Sequence, residues 1–580
     1  MSMDVIRMGR LCMALFAMGV VGAASAKDIY VSPTGDDSSP GNSAAAPLRT
    51  IAAASSRAAA GDTVHLAAGQ YSEALVPAAS GTAGAPITYS GSGQAVISNV
   101  QVGILVSSKA YIVLDGISVN GQNSSPNATV RSFAVVQNSN HITIRNAVFR
   151  HAGDWAGVDI SSYFSADGRY YAYIPKGSWQ QGSTSNVTIE DSTLDDVGNY
   201  ASAYGDVIQV GPDTSHILIQ RNTITHGGHD LVEFDSDFGV LQNNTLNNSY
   251  SDTVGGDTGY RSIEVQGSFN LIQGNLLTGA RQGGQARVPP LASVRGISNI
   301  VRQNVFSNGI AQGEVTWCGT GQTPVMNERI YNNTMYRLGS TALSMWAYTG
   351  CTSIGNLVFA NNLVVQSRVA PGTLSWAQHG ASLPDADLFF SVTGGSGVVD
   401  VGLGPTAQSV VKGNLFLPNA GGPAYVITGT DGRITLAAAA AKYPQYFSGN
   451  LEARPAFVVA QPVAAGDFRL APGSPGTSAG VFLTQVAGSG NANRIVVKDS
   501  TYFSDGNGVT AGDTIQLQGS TQTATIVGID RSSNTLSLSA ALAFTDGQGV
   551  ALPYSGAAPD IGSGAVAVQP SSPKNFGIQH

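Results

Sequence analysis

Charge is what this chain has least of. Asp, Glu, Lys and Arg make up 11% of its 580 residues, and the formal net charge is −8. A nucleic-acid partner needs a basic face, so this balance argues against one. It does not argue against an acidic polysaccharide, because a local group of arginines still binds uronates. Cysteine is scarce too, at three residues, which rules out a disulfide-dense scaffold. Past residue 21 no apolar run is long enough to be a membrane helix.

What is present is glycine (71 residues), frequent Asn, Ser and Thr, and short Val and Ile runs. That composition reads as β-rich with many tight turns. Residues 1–26 have the layout of a secretory signal peptide: Arg7 and Arg10, an apolar stretch from Leu11 to Val21, then Ala24-Ser25-Ala26 as a cleavage site. The expectation is a secreted protein, periplasmic or extracellular, whose mature chain begins at Lys27. Cys12 leaves with the signal. Cys318 and Cys351 then remain as an even pair in an oxidising compartment, and a disulfide between them is expected.

A unit recurs from about residue 92: a strand, a turn, then a second strand closing on Asn or Asp. The markers are Asp115, Asn146, Asp191, Asn222, Asn244, Asn275, Asn304, Asn333, Asn362 and Asn414. Most are 22–31 residues apart, a period that predicts an all-β, right-handed parallel β-helix. One coil cannot bury its own apolar side chains, so coils stack and share a core. A β-propeller is the alternative, but its longer repeats contain four antiparallel strands. An N-terminal capping helix is expected over Pro47–Gly61, with Thr50 as N-cap. The β-helix domain is expected over 27–484. Residues 485–557 alternate in strand fashion and predict a small inserted β-barrel or meander. Residues 558–580 read as the end of the solenoid and a tail.

Four segments stack without gaps: DVIQV (206–210), DLVEF (230–234), RSIEV (261–265) and ASVRG (292–296). This alignment makes one column of Asp206, Asp230, Arg261 and Ala292, and another of Gln209, Glu233, Glu264 and Arg295. Ile208, Val232, Ile263 and Val294 then point inward, and the second column points out. Glu233 and Glu264 fall one strand spacing apart, about 4.8 Å. Ionised, they repel by about 3 kcal/mol at an effective dielectric near 20. A shared proton, a cation or a flanking guanidinium must relieve that. By strict alternation Arg261 faces the other way unless the turn re-aims it. His229, Asp235, Tyr260 and Arg287 lie close in sequence. An insertion at 163–179 is dense in aromatics, and Tyr171, Tyr173 and Trp179, with Lys176, are expected to flank a groove and contact sugar rings. A loop that folds back and hides its own aromatics is the competing reading.

The opening stretch IYVSPTGDD…PLRTIAAA…GDTVHLAAGQYSE (29–73), the Asn-marked coils and the Glu and Arg columns resemble right-handed β-helix polysaccharide lyases, nearest in pattern to the alginate lyase and chondroitinase B family. The resemblance implies β-elimination on a uronate-containing glycan. It implies calcium held by carboxylates, here Glu233, Glu264 and Asp235, and an Arg acting as acid, here Arg295. The family's Lys base has no counterpart after Glu264, which leaves His229 or Tyr260 for that role. The gap keeps a second class open: paired carboxylates one coil apart also suit a retaining glycosidase. A third reading is a non-catalytic glycan-binding solenoid.

Overall fold

The computed structural model describes residues 26–564, except 126, 154, 199–204, 249–260, 280–286, 289, 310–311, 319–323, 348–350, 352–353, 370–374, 377–383 and 393–407. The signal segment, Tyr260 and the tail beyond 564 lie outside the described residues, as do the side chains of Arg287 and Trp376.

The chain winds into a right-handed parallel β-helix. One wall is a sheet of twelve strands running from Val102–Ser107 to Gly432–Thr435; the remaining walls merge into a 26-strand sheet. Along the twelve-strand wall Val158, Ile208, Val232, Ile263 and Ala292 stack in register and fill the interior. Alternation puts their neighbours on the outer face.

The asparagine markers divide into two adjacent columns with different tasks. Asn222, Asn244, Asn275, Asn304, Asn333, Asn362, Asn414 and Asn450 form an internal ladder. In each step the side-chain oxygen of one Asn accepts from the backbone and side-chain nitrogens of the Asn a rung earlier, as in Asn275 N to Asn304 Oδ1 (2.9 Å) and Asn275 Nδ2 to Asn304 Oδ1 (3.0 Å). The residue just before each ladder Asn takes the left-handed conformation: Arg221, Asn243, Gly274, Gln303, Asn332, Asn361, Gly413 and Gly449. Asn146 and Asp191 lie one position earlier than expected, in this bend column, and Asp115, in register with Arg145, lies one position earlier still, with Gly116 at the bend. The ladder position on their coils is Ala147 and Ser192, the latter receiving from Ala147 N (3.0 Å) and donating its own N–H to Asn222 (3.0 Å). A buried bend has backbone groups that water cannot reach, so side chains must satisfy them.

Both ends are capped. The N-terminal helix is shorter than expected, Ile51–Ser55; Thr50 is its N-cap, accepting from Ala53 N. Glu73 holds the free N–H groups of Ile51 and Ala52. Ile51 and Ala54 join Leu48 in closing the first coil. At the other end a hairpin, Tyr425–Thr428 with Gly432–Thr435, leads into a helix, Leu436–Lys442, capped by Thr435.

Six strands between Thr484 and Ala551 form a separate antiparallel sheet. Its apolar face packs on the outside of the large wall, against Leu218, Val240, Leu271, Ile300 and Val358. Arg302, fully buried, pairs with Asp513 (Nη1 to Oδ2, 2.7 Å), and Tyr331 donates to Tyr502 O (2.7 Å). Cys318 and Cys351 are joined by a disulfide. Among the described residues no helix is long and apolar enough to cross a membrane.

Candidate functional site

The outer face of the twelve-strand wall carries a polar column running Asp159, Gln209, Glu233, Glu264, Ser293, each in register with the next. Glu233 and Glu264 are therefore side by side. Arg295 is not in the column. Ile263 pairs with Ala292 and Val265 with Val294, so the last strand is shifted by two residues from the expected alignment, and Ser293 faces Glu264. A two-residue slip leaves every inward residue inward, so alternation alone cannot detect it. Arg295 follows the strand and reaches back: its Nη2 is 2.7 Å from Glu264 Oε1. Its guanidinium also lies 4.3 Å from the ring centre of Trp317, a half-buried residue the sequence pattern did not single out.

Arg261 departs from strict alternation. The strand begins only at Ile263, and the irregular backbone before it turns Arg261 to the outer side, where Nη1 is 2.5 Å from Glu264 Oε2. Its own N–H donates to Asp230 Oδ1 (2.8 Å). Both oxygens of Glu264 are thus held by guanidinium groups. Burial opposes ionisation of this carboxyl, but Arg261 and Arg295 outweigh it and hold it below the ordinary carboxylate range.

Glu233 has the opposite surroundings. It is half-buried and receives amide N–H groups from Gln266 (3.2 Å) and Gln209 (3.4 Å). Burial first, then the nearby Asp206 and Asp235, push it up to about 9. Asp235, two residues on, is raised to about 7 by burial and by Glu264, and its Oδ1 has no hydrogen-bond partner.

His229 is held by two aspartates. Its Nδ1 is 2.9 Å from Asp206 Oδ1 and 3.4 Å from Asp230 Oδ2. Asp230, then Asp206, overcome the opposing effect of burial and raise the imidazole to about 10, so it is an imidazolium at neutral pH. Set against the expectation of His229 as a base, its two aspartates favour the protonated ring. Asp206 and Asp230 were in the first sequence column but not among the expected site residues. The signal was there, since an Asp stands three places before the outward polar residue on both coils.

The aromatic loop covers one end of the column. Tyr170 and Tyr171 both donate to Asp159 Oδ2 (2.6 and 3.0 Å). Tyr171 is buried, which corrects its expected role: the ring seals the groove end and its faces meet Tyr163 and Trp179. Trp179 is half-buried and donates to Ile174 O (3.2 Å). Tyr173 is 40% exposed and Lys176 is exposed at the rim, 5.8 Å from the Trp179 ring. The backbone at Arg287 pairs with Ser375.

A divalent cation has a partial donor set here. One ligand atom each from Asp206, His229 and Glu233 lies within 4.8 Å of the others. Two of the three ligand atoms are carboxylate oxygens, from Asp206 and Glu233 on adjacent rungs, chemistry that suits calcium. Glu264, expected as a calcium ligand, is turned away from that role because both its oxygens are engaged by arginines.

Residues 33–78 match a sequence family described only as a protein of unknown function, DUF1565. The chain is 36% identical over 129 residues to the uncharacterized protein YwoF of Bacillus subtilis; the match spans 20% of this chain and 27% of that protein, so about a quarter of the relative's length. Among solved structures, a pectate lyase superposes with TM-score 0.42 at 16% identity, covering 81% of this chain and 95% of that one. A PL6 family alginate lyase gives 0.40 at 13%, covering 77% and 55%. A GH136 lacto-N-biosidase from Eubacterium ramulus gives 0.33 at 13%, covering 53% and 64%. At these identities the likeness is one of fold.

Proposed function

We propose that this chain is a secreted carbohydrate-active enzyme that cleaves a polysaccharide in the groove above Glu233 and Glu264, by glycoside hydrolysis. The supporting observation is the divergence of two register-adjacent carboxyls: Glu233 is pushed up to about 9 and Glu264 is held below the ordinary range. Two carboxyl groups whose surroundings separate their protonation states are the requirement for an acid and an ionised partner at one pH. Glu233, neutral at pH 7, donates a proton to the glycosidic oxygen. Glu264 remains ionised, and it meets the positive charge at the anomeric carbon once one of its two arginines gives up an oxygen to the substrate. The strand spacing of about 4.8 Å is close to the about 5–5.5 Å carboxyl separation of retaining glycosidases. Tyr173 and Lys176 at the rim contact the chain outside the cleavage point. The Cys318–Cys351 disulfide supports an oxidising compartment.

One observation favours β-elimination on a uronate as a second reading. With every group charged, five carboxylates (Asp206, Asp230, Glu233, Asp235, Glu264) face three cations (His229, Arg261, Arg295), a formal −2. A calcium ion held by Asp206, Glu233 and Asp235 would supply the positive charge that a uronate carboxylate needs, and His229, as an imidazolium, would serve as acid.

The two readings separate in one assay on a panel of neutral and uronate glycans. Hydrolysis gives new reducing ends with no ultraviolet-absorbing unsaturated product and survives a chelator. Unsaturated product that disappears on chelation would replace the first reading with the second.

A further inference from the structure

Where the six-strand module meets the solenoid, a cleft of about 630 Å³ opens, lined by Lys412, Phe482, Gln485, Lys498, Tyr502 and Gln518 among others. Lys412 belongs to the 26-strand wall, so this cleft is on a different wall from the Glu233 column. Junctions between packed units are common places for ligand sites, and the volume suits one or two sugar rings.

The charges around the cleft do not balance. Arg329 is paired with Asp499 at 3.1 Å. Lys412, half-buried, makes no ion pair among the described residues; its ammonium lies 5.4 Å from the Tyr502 ring centre, and the Arg329 guanidinium lies 5.2 Å from the same centre. Lys498, exposed, donates to Gln485 Oε1 (2.6 Å) and to no carboxylate. Three cations therefore share one carboxylate, in a chain whose net charge is −8. Burial first, then Arg329, depress the Lys412 ammonium, and Asp499, already paired with Arg329, offsets this only in part. Withdrawing a cation from water beside another cation is costly unless an anion joins them. Phe482, half-buried on the cleft wall, adds an apolar ring face of the kind that packs on sugars.

We propose that this cleft is a second saccharide site, specific for an acidic sugar whose carboxylate or sulfate lies between Lys412 and Lys498. It would hold an acidic glycan away from the Glu233 groove. The site is built from the module junction alone, whichever chemistry the groove performs.

The test is calorimetric titration of the full chain carrying Glu233→Gln, so that ligand is not consumed. The probes are a uronate trisaccharide, a sulfated disaccharide, a neutral trisaccharide and inorganic phosphate. At least one acidic saccharide binds, and Lys412→Gln and Lys498→Gln each weaken it by at least about tenfold, while neutral-sugar binding is unchanged. Which acidic probe binds identifies the acid group. Lys498 is exposed, so Lys498→Gln carries the test if Lys412→Gln fails to fold. The proposal is overturned if neither acidic saccharide binds, if Lys498→Gln leaves their affinity unaltered, if the neutral trisaccharide binds this site equally, or if phosphate alone binds as tightly as the acidic sugar.

Discussion

Glu233 and Glu264 are register partners on adjacent rungs, and among the described residues it is Glu264 that pairs with guanidinium groups. Both oxygens of Glu264 meet guanidinium groups, whereas Glu233 meets amides and other carboxylates. The same residue type, one strand spacing apart, is thereby held in two protonation states.

Glu233→Gln and Glu264→Gln have different costs. Removing the proton donor lowers the turnover rate by about 10²–10⁴-fold and leaves the melting temperature unchanged or raised, because a strained carboxyl is gone. Glu264→Gln also lowers turnover, but it leaves Arg261 and Arg295 buried without their shared partner. Breaking a buried pair from one side costs about 3–5 kcal/mol. Kinetics and thermal unfolding of the two variants, side by side, check this; equal stability of the two contradicts the assignment of Glu264 as the clamped anion.

Activity falls as pH rises through about 9, where Glu233 loses its proton. Stability falls over an overlapping range. Glu233 is raised from 4.5 to about 9, and Glu314, buried in the solenoid interior, from 4.5 to about 8. The folded chain then binds more protons than the unfolded one above pH 4.5, so stability declines with rising pH until those values are passed. His229, raised from 6.5 to about 10, acts in the same direction: its contribution is complete below 6.5 and is lost through 10. Denaturant midpoints measured from pH 5 to 10 should decrease; a flat or rising profile refutes this.

Asn304→Ala removes one rung of the internal ladder. It orphans Asn275 N and removes the side-chain bonds to Ile272 O and Asn333 Oδ1, the latter keeping the backbone N–H of residue 304. Leaving buried groups unpaired costs about 1–3 kcal/mol each, so a loss of at least about 2 kcal/mol in urea unfolding is expected. A surface change such as Asn491→Ala, in the module, stays within about 0.5 kcal/mol.

Asp513→Ala separates the module from the solenoid energetically. Arg302 is fully buried and keeps only Tyr331 and Gln273 as partners once Asp513 is gone. A cost of about 3–5 kcal/mol is expected, together with faster proteolysis between residues 480 and 560.

Reducing the Cys318–Cys351 bridge, or replacing both cysteines with Ser, releases a loop closed over a separation of 33 residues. The chain-entropy estimate is about 3–4 kcal/mol, read as a lower denaturant midpoint under reducing conditions.

The stacked coils, the capping Thr50, the disulfide pair and the adjacency of Glu233 and Glu264 were legible in the sequence. Each rests on a local pattern: a period, a cap residue, cysteine parity, a shared offset from an Asn marker. That offset also held the correct register of the last strand. Glu233, Glu264 and Ser293 each stand 11 residues before a ladder Asn, at 244, 275 and 304, whereas matching segment to segment slid the strand by two. Hydrophobic alternation has a period of two and cannot see such a slip; buried amides bonding one another along the axis can. Only the tertiary structure decided that Arg261 and Arg295 close on one carboxylate, that Tyr171 turns inward onto Asp159, and that His229 is held as a cation. Those outcomes depend on where strands begin and end and on which side chains are withdrawn from water. They are set by packing between coils distant in sequence, which no single repeat encodes.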